Sequence, residues 1–190
     1  MLLTSEDLLT VARNYWPSTR DAYLEQEASP ELKRLQALWE QTLPGLDRWW
    51  SFLSELETAL PDFKLSDVTA TRDACFRCVA YPRNTSSYSQ SRWAAVGCLS
   101  ILAPVCFVYG VQLEYRGTER ISQRASFGPL PPETAHVADL MAQKMESNFR
   151  ATSLPRELTQ TRVPLFVEFK EPPETMLVHA LFTSSPESIP

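Results

Sequence analysis

Between Trp93 and Leu113 the chain runs without a single charged residue, in the stretch RWAAVGCLSILAPVCFVYGVQLEYRG that spans 92–117. A helix needs roughly 20 apolar residues to cross about 30 Å of hydrocarbon, so length alone admits a membrane span, with Arg92 and Arg116 as flanking charges. The interior points elsewhere. Pro104 stands in the middle, Gly97 and Gly110 lie to either side, and Val96, Ile101, Val105, Val108 and Val111 are β-branched, a mixture that suits strands. From Val105 the residues alternate: Val105, Phe107, Tyr109, Val111, Leu113 and Tyr115 share one face, and Gly110, Gln112, Glu114 and Arg116 the other. A period of two is the signature of a strand. The reading is therefore two strands, about 92–102 and 105–116, parted at Ala103-Pro104 because proline cannot donate to a ladder. One long strand bent at a bulge is the other arrangement the pattern allows.

Around this centre the periodicity sorts the chain into an expected α+β domain. In the first third, Thr4 or Ser5 opens a helix to about Tyr15, Ser18–Asp21 starts a short one, and Ser29-Pro30-Glu31 puts a capping serine before a proline at the first helical position. Leu32, Leu35, Leu38, Trp39 and Leu43, then Leu46, Trp49, Trp50, Leu53, Leu56 and Leu60, keep helical spacing on either side of Pro44-Gly45. These two helices are expected to pack as an antiparallel pair. Strands follow at 64–71 and 75–81, then the polar connection PRNTSSYSQS, the two apolar strands, and a further strand at 121–127. A long inserted helix is expected over 133–149, and a terminal β-hairpin from 163–170 and 175–182 around Glu171-Pro172-Pro173-Glu174. The expected organisation is one domain over 1–190: helices over 1–62, sheet plus helix over 63–183, and a flexible tail at 184–190.

Charge is unevenly shared. The net charge is −5, but residues 1–62 hold 11 acidic and 5 basic residues, 63–130 hold 4 and 8, and 131–190 hold 8 and 5. An acidic amino-terminal third argues against general nucleic-acid binding, which needs a basic surface to displace counterions. It suits a partner with a basic face. The amino end, MLLTSEDLLTVARNYW, carries Glu6 and Asp7 and no basic region before its apolar residues. No secretory signal peptide is expected, and a cytoplasmic location is.

Residues able to carry chemistry are few and unarranged. Cys75-Phe76-Arg77-Cys78 has the spacing of a metal or redox pair, and Cys98 and Cys106 could complete four thiolates. In a strand, however, residues three apart face opposite sides, so buried thiols are the expectation and no metal, cofactor or catalytic residue is assigned. His136, three residues before Asp139, and His179, read as belonging to the last strand, lack a nucleophile at any recognisable spacing. They would be the first residues to test if the chain were a small enzyme or a small-molecule binder with its pocket between sheet and helices. The carboxylates offer an acidic docking surface instead: Glu25, Glu27 and Glu31 at the start of the third helix, and Glu168, Glu171 and Glu174 on the terminal hairpin. In Trp49-Trp50 either both indoles join the core or one reaches the boundary and anchors a partner.

The segments DACFRCVAYP (73–82), VGCLSILAPV (96–105), LPREL (154–158) and KEPPETMLVHALFTS (170–184) resemble a paralogous family of small myxobacterial proteins. That family is similar to the immunity proteins that protect bacterial cells against polymorphic toxins exchanged between kin. The resemblance covers most of the chain after Asp73. It implies an α+β cytoplasmic protein that binds and neutralises one cognate toxin by protein–protein interaction, with no active-site residues. A nuclease, whose cleft is basic, is the toxin class that an acidic helical face would fit.

Overall fold

The uncharged stretch forms the middle of an antiparallel sheet. The computed structural model describes residues 4–24, 29–83, 90–168 and 170–190. Within them, β1 (Phe63–Asp67), β2 (Cys75–Pro82), β3 (Ser91–Ser100), β4 (Val105–Arg116) and β5 (Glu119–Ser126) follow one another in spatial as in sequence order. Strands β3 and β4 pair antiparallel from Ser91↔Glu114 to Leu99↔Cys106, so Ala103-Pro104 lies in the reversal between two strands. No helix among the described residues is long and apolar enough to cross a membrane. A two-residue strand, β6 (Thr152–Ser153), adds in parallel to the start of β4.

Both faces of this sheet are covered, which is why β3 reads as a continuous buried run. On one face the register aligns Cys78, Gly97 and Val108. Helix α5 (Pro132–Phe149) crosses there and presses Met141 and Met145 onto Gly97. A Cβ at position 97 would stand 2.6 Å from Met145 Cε and 2.8 Å from Met141 Cε, so the glycine sets how closely helix and sheet approach. Beside it, an aromatic cluster joins the amino-terminal helices to the same face. Trp49 stacks on Phe52 at 5.1 Å and on Phe76 at 5.2 Å, Trp39 meets Phe76 edge-on at 5.4 Å, and Phe149 closes on Phe52 at 5.3 Å. Such pairs add about 0.5–1.5 kcal/mol each beyond simple burial.

The amino-terminal helices begin where their caps place them. Thr4 Oγ1 accepts the Asp7 N–H at 3.2 Å while the Asp7 carboxylate accepts the Thr4 N–H at 2.9 Å, opening α1 (Ser5–Ala12). After α2 (Arg20–Leu24), Ser29 caps α3 (Pro30–Thr42), and a 3-10 turn at Leu43–Gly45 leads into α4 (Asp47–Ala59). The expected antiparallel pairing of α3 with α4 gives way to separate docking. Helix α4 packs on β1 and α5, while α3 reaches the sheet through Trp39, whose indole N–H donates to the Asp73 carbonyl at 2.8 Å.

On the other face the sequence expectations need two corrections. Among the described residues the terminal β-hairpin does not form: after a one-turn helix α6 (Arg156–Thr159), a single isolated bridge, Arg162↔Met176, joins the two segments, with the Val163 N–H donating to the Thr175 carbonyl at 2.9 Å, and the other bridge, Val167↔Lys170, falls within the first segment. Residues Leu177–Leu181 instead form helix α7, every residue of it buried. The run LVHALF has no alternation to hold it extended. Trp16 from beyond α1 donates its indole N–H to the Ala180 carbonyl at 2.7 Å, and helices α1 and α7 pack together. The segment 184–190, expected to fray, lies against the sheet with Ser184, Pro186 and Ile189 buried. Its anchor is Arg77 on β2, only 6% exposed. The guanidinium donates to Thr183 Oγ1 at 3.1 Å, to the Ser185 carbonyl at 3.3 Å and to the Ser188 carbonyl at 3.2 Å. The Tyr109 hydroxyl adds a bond to the Pro186 carbonyl at 2.8 Å, and the Tyr81 hydroxyl one to the Pro190 carbonyl at 2.7 Å.

Removing a buried charge while its partners stay buried costs about 3–5 kcal/mol. Arg77→Met is therefore expected to lower the unfolding free energy by that order in a urea titration and to open 184–190 to proteolysis. Asp73, buried with its carboxylate 4.0 Å from the guanidinium, is then left uncompensated, so adding Asp73→Asn restores some of the loss. An Arg77→Met protein as stable as the parent would remove the anchor from the account.

Candidate functional site

Of the six glutamates expected to form a docking surface, Glu25 and Glu27 lie outside the described residues, as does most of the 82–91 connection. The other four are not equivalent. Glu31, in the first turn of α3, is 3.2 Å from Arg34 Nη2, and the same arginine ties α3 to α1 through a 2.6 Å bond from Nε to the Asn14 carbonyl. Glu168 has a left-handed backbone (φ 44°), and its carbonyl accepts the Tyr23 hydroxyl; burial pushes its carboxyl above the usual range, with Arg72 opposing. Glu171 lies 3.9 Å from Arg20 Nη2. Glu174 is exposed. With Tyr23 stacked on Phe166 at 5.5 Å, α2 rests on Phe166, Glu168 and Glu171, so the fold joins the segment before Glu25 to the segment holding Glu168 and Glu171. These contacts place Arg34 and Arg20 beside two of the acids and reduce the field they project.

Trp49-Trp50 divides cleanly. Trp49 is 1% exposed inside the aromatic cluster, its N–H bonded to Asp67 Oδ1 at 3.2 Å, whereas Trp50 is 47% exposed on the outer side of α4. Asp47 and Ser54, three residues before and four after it, lie on the same helical face, both exposed. Leu43, in the turn before α4, is also exposed.

The cysteines are unpaired and buried. Cys78 faces α5, within 3.5 Å of the place a Cβ would occupy at Gly97. Cys75 lies on the same strand face as Arg77 and near Cys98, and burial raises its thiol well above the ordinary value. Burial likewise pushes Cys106 up to about 12, which suppresses the thiolate that nucleophilic or metal chemistry needs. Among the described residues no three of the His, Cys, Asp and Glu side chains gather as metal ligands do.

The histidines have separate settings. His179 sits on α7 rather than on a strand, 5% exposed, and its Nδ1 accepts the Met176 N–H at 3.0 Å, acting as a cap. Burial, with Lys170 nearby, holds its pKa down at about 4. His136 is exposed and lines an open cleft of 570 Å³ at the junction of α4, β1, β2 and α5, together with Leu60, Asp62, Phe63, Pro82 and Glu133. Asp139 does not belong to that lining. The sequence singled out His136; Asp62 and Glu133 were missed because they come from different elements, and only the helix-stop Pro61 and the helix-start Pro132 beside them hint that both stand at helix ends.

No family model, curated protein or solved structure matches the chain.

Because His179 is neutral when folded and would take a proton near pH 6.5 when unfolded, the unfolded state binds more protons between those values. Its contribution to stability is full above about pH 6.5 and is lost as pH falls toward about 4, by an amount on the order of 3 kcal/mol. His179→Asn keeps an acceptor for the Met176 N–H and removes the titration. The stability advantage of the parent over this variant, from denaturant midpoints, is expected to shrink steadily as pH is lowered through that range. A constant gap would contradict the assignment.

Proposed function

We propose that the chain is an immunity protein that acts in the cytoplasm, binding and neutralising a cognate bacterial toxin through its surface. The resemblance of the segments after Asp73 motivates this reading, and the acidic amino-terminal third gives it a physical form. The observation that carries it is Trp50, an indole half-exposed on the outer face of α4 beside the exposed carboxylate of Asp47. Tryptophan is the residue most enriched among those that dominate binding energy. Its neighbour Trp49 fixes the helix to the sheet, so Trp50 is presented by a rigid element and its ordering cost on binding is small. Asp47 and the acidic balance of the first third supply steering toward a basic partner, and a nuclease cleft is the partner chemistry this balance fits.

The test uses the product of the reading frame immediately upstream as the candidate toxin. The parent protein is expected to co-purify with it. Trp50→Ala, at an exposed site, should leave unfolding unchanged and weaken binding by about 2 kcal/mol or more, roughly thirtyfold. Reversing Asp47 and Glu174 to lysine should slow association and flatten its salt dependence. A complex untouched by any of these changes would move the interface away from α4. The absence of a complex, with a folded toxin, would overturn the reading.

A further inference from the structure

We propose that the open cleft of 570 Å³ at the end of α4 is a binding site for an organic cation: a guanidinium or ammonium group carried on a short hydrocarbon stem. The inference is independent of the toxin reading. The volume lies within the ~300–1,000 Å³ typical of small-molecule sites. The apolar part of its wall comes from Leu60 and Pro61 where α4 stops, Phe63 at the start of β1, Pro82 at the end of β2, and Val137 on α5. Apolar walls of this kind favour an alkyl stem over a fully polar ligand.

The sign of the charge follows from the polar groups. Asp62 and Glu133 bring two carboxylates to the lining, and among the described residues no lysine or arginine belongs to it. Arg83, next to Pro82, stands at the rim with its charge already matched: its Nε donates to the Phe63 carbonyl at 3.0 Å and its Nη2 pairs with Glu57 at 3.3 Å. The amino end of α5 has no side-chain cap, and its dipole contributes roughly half a positive charge at that end. Against two carboxylates that leaves the cleft negative. His136 supplies a further polar group at the wall, with a planar ring edge suited to hydrogen bonding. The matching ligand has a cationic head for Asp62 and Glu133 and a short chain of methylenes for the walls. Two sources offer that chemistry, a free small amine or guanidine and an arginine or lysine side chain of a partner protein.

Butylguanidine and its neutral isostere butylurea separate charge recognition from shape, and N-acetyl-arginine methylamide tests the side-chain source. Binding is read from the backbone amide shifts of Phe63, Glu133, His136 and Val137 by nuclear magnetic resonance. The expected result is saturable shifts with butylguanidine and none with butylurea at the same concentration. Asp62→Asn with Glu133→Gln, both at exposed positions, should weaken binding at least about tenfold. Ala59→Phe, which narrows the cleft at an exposed position without altering charge, should weaken it as well. If the capped arginine also saturates, the source is a partner's side chain; if butylguanidine binds and the capped arginine does not, it is a free small cation. Equal shifts with butylurea, no saturable shift with either cation, or parent-like binding in both variants would overturn the proposal. None of these measurements involves a toxin, so their failure leaves the toxin reading standing, and the converse holds.

Discussion

Arg77 places a permanent charge on a strand face it shares with Cys98 and Phe107, where an isolated ion would be costly to bury. The chain meets that cost by bringing acceptors to it: the Thr183 hydroxyl and the carbonyls of Ser185 and Ser188, all more than 100 residues away in sequence. A segment whose own composition has little to bury is thereby ordered. It in turn covers Tyr109 and meets the hydroxyl of Tyr81. Asp73, raised above its ordinary pKa by burial and opposed by Arg77, sits just before the same strand, and its carbonyl is where Trp39 docks. The guanidinium and the aromatic cluster are therefore linked through one turn of backbone before β2.

The two faces of the sheet solve the same problem differently. Toward α5 the residues under the helix are small, Ala95 and Gly97 among them, and methionine ends fill the gap; toward the carboxyl-terminal segment the strands offer Phe107 and Tyr109, and backbone carbonyls come to meet polar tips. A sheet held from both sides leaves the outer surfaces of α3 and α4 and the cleft beside β1 as places where side chains are set by packing behind them and not by contacts in front. Trp50 and the walls of the cleft both belong to that class, which is why each is read as a place for something else to bind.

What the sequence made legible was local. Alternation from Val105 and the proline at 104 were enough to find β3 and β4, and Ser29-Pro30 was enough to start α3 at the right residue. The reading failed where the deciding partner is remote. LVHALF, apolar almost throughout, reads as a buried strand and is helical where Trp16 takes up the Ala180 carbonyl and the ring of His179 caps the helix start at the Met176 N–H. Residues 184–190 look like a tail because nothing in them reveals Arg77. The docking acids were chosen by clustering along the chain, and the fold sets Arg34 and Arg20 beside Glu31 and Glu171. His136 was legible as a polar residue of interest, but Asp62 and Glu133 join it only through tertiary structure.

Binding and catalysis leave different marks on stoichiometry, and that difference tests the account most directly. The activity of the candidate toxin, the product of the upstream reading frame, is measured while the protein is added in steps from far below to above equimolar. A protein that neutralises by occupying a surface protects in proportion to its amount, and a linear loss of toxin activity that ends at one equivalent is expected. Complete inactivation by a small fraction of an equivalent would mean that each molecule acts repeatedly, and it would contradict a binding function.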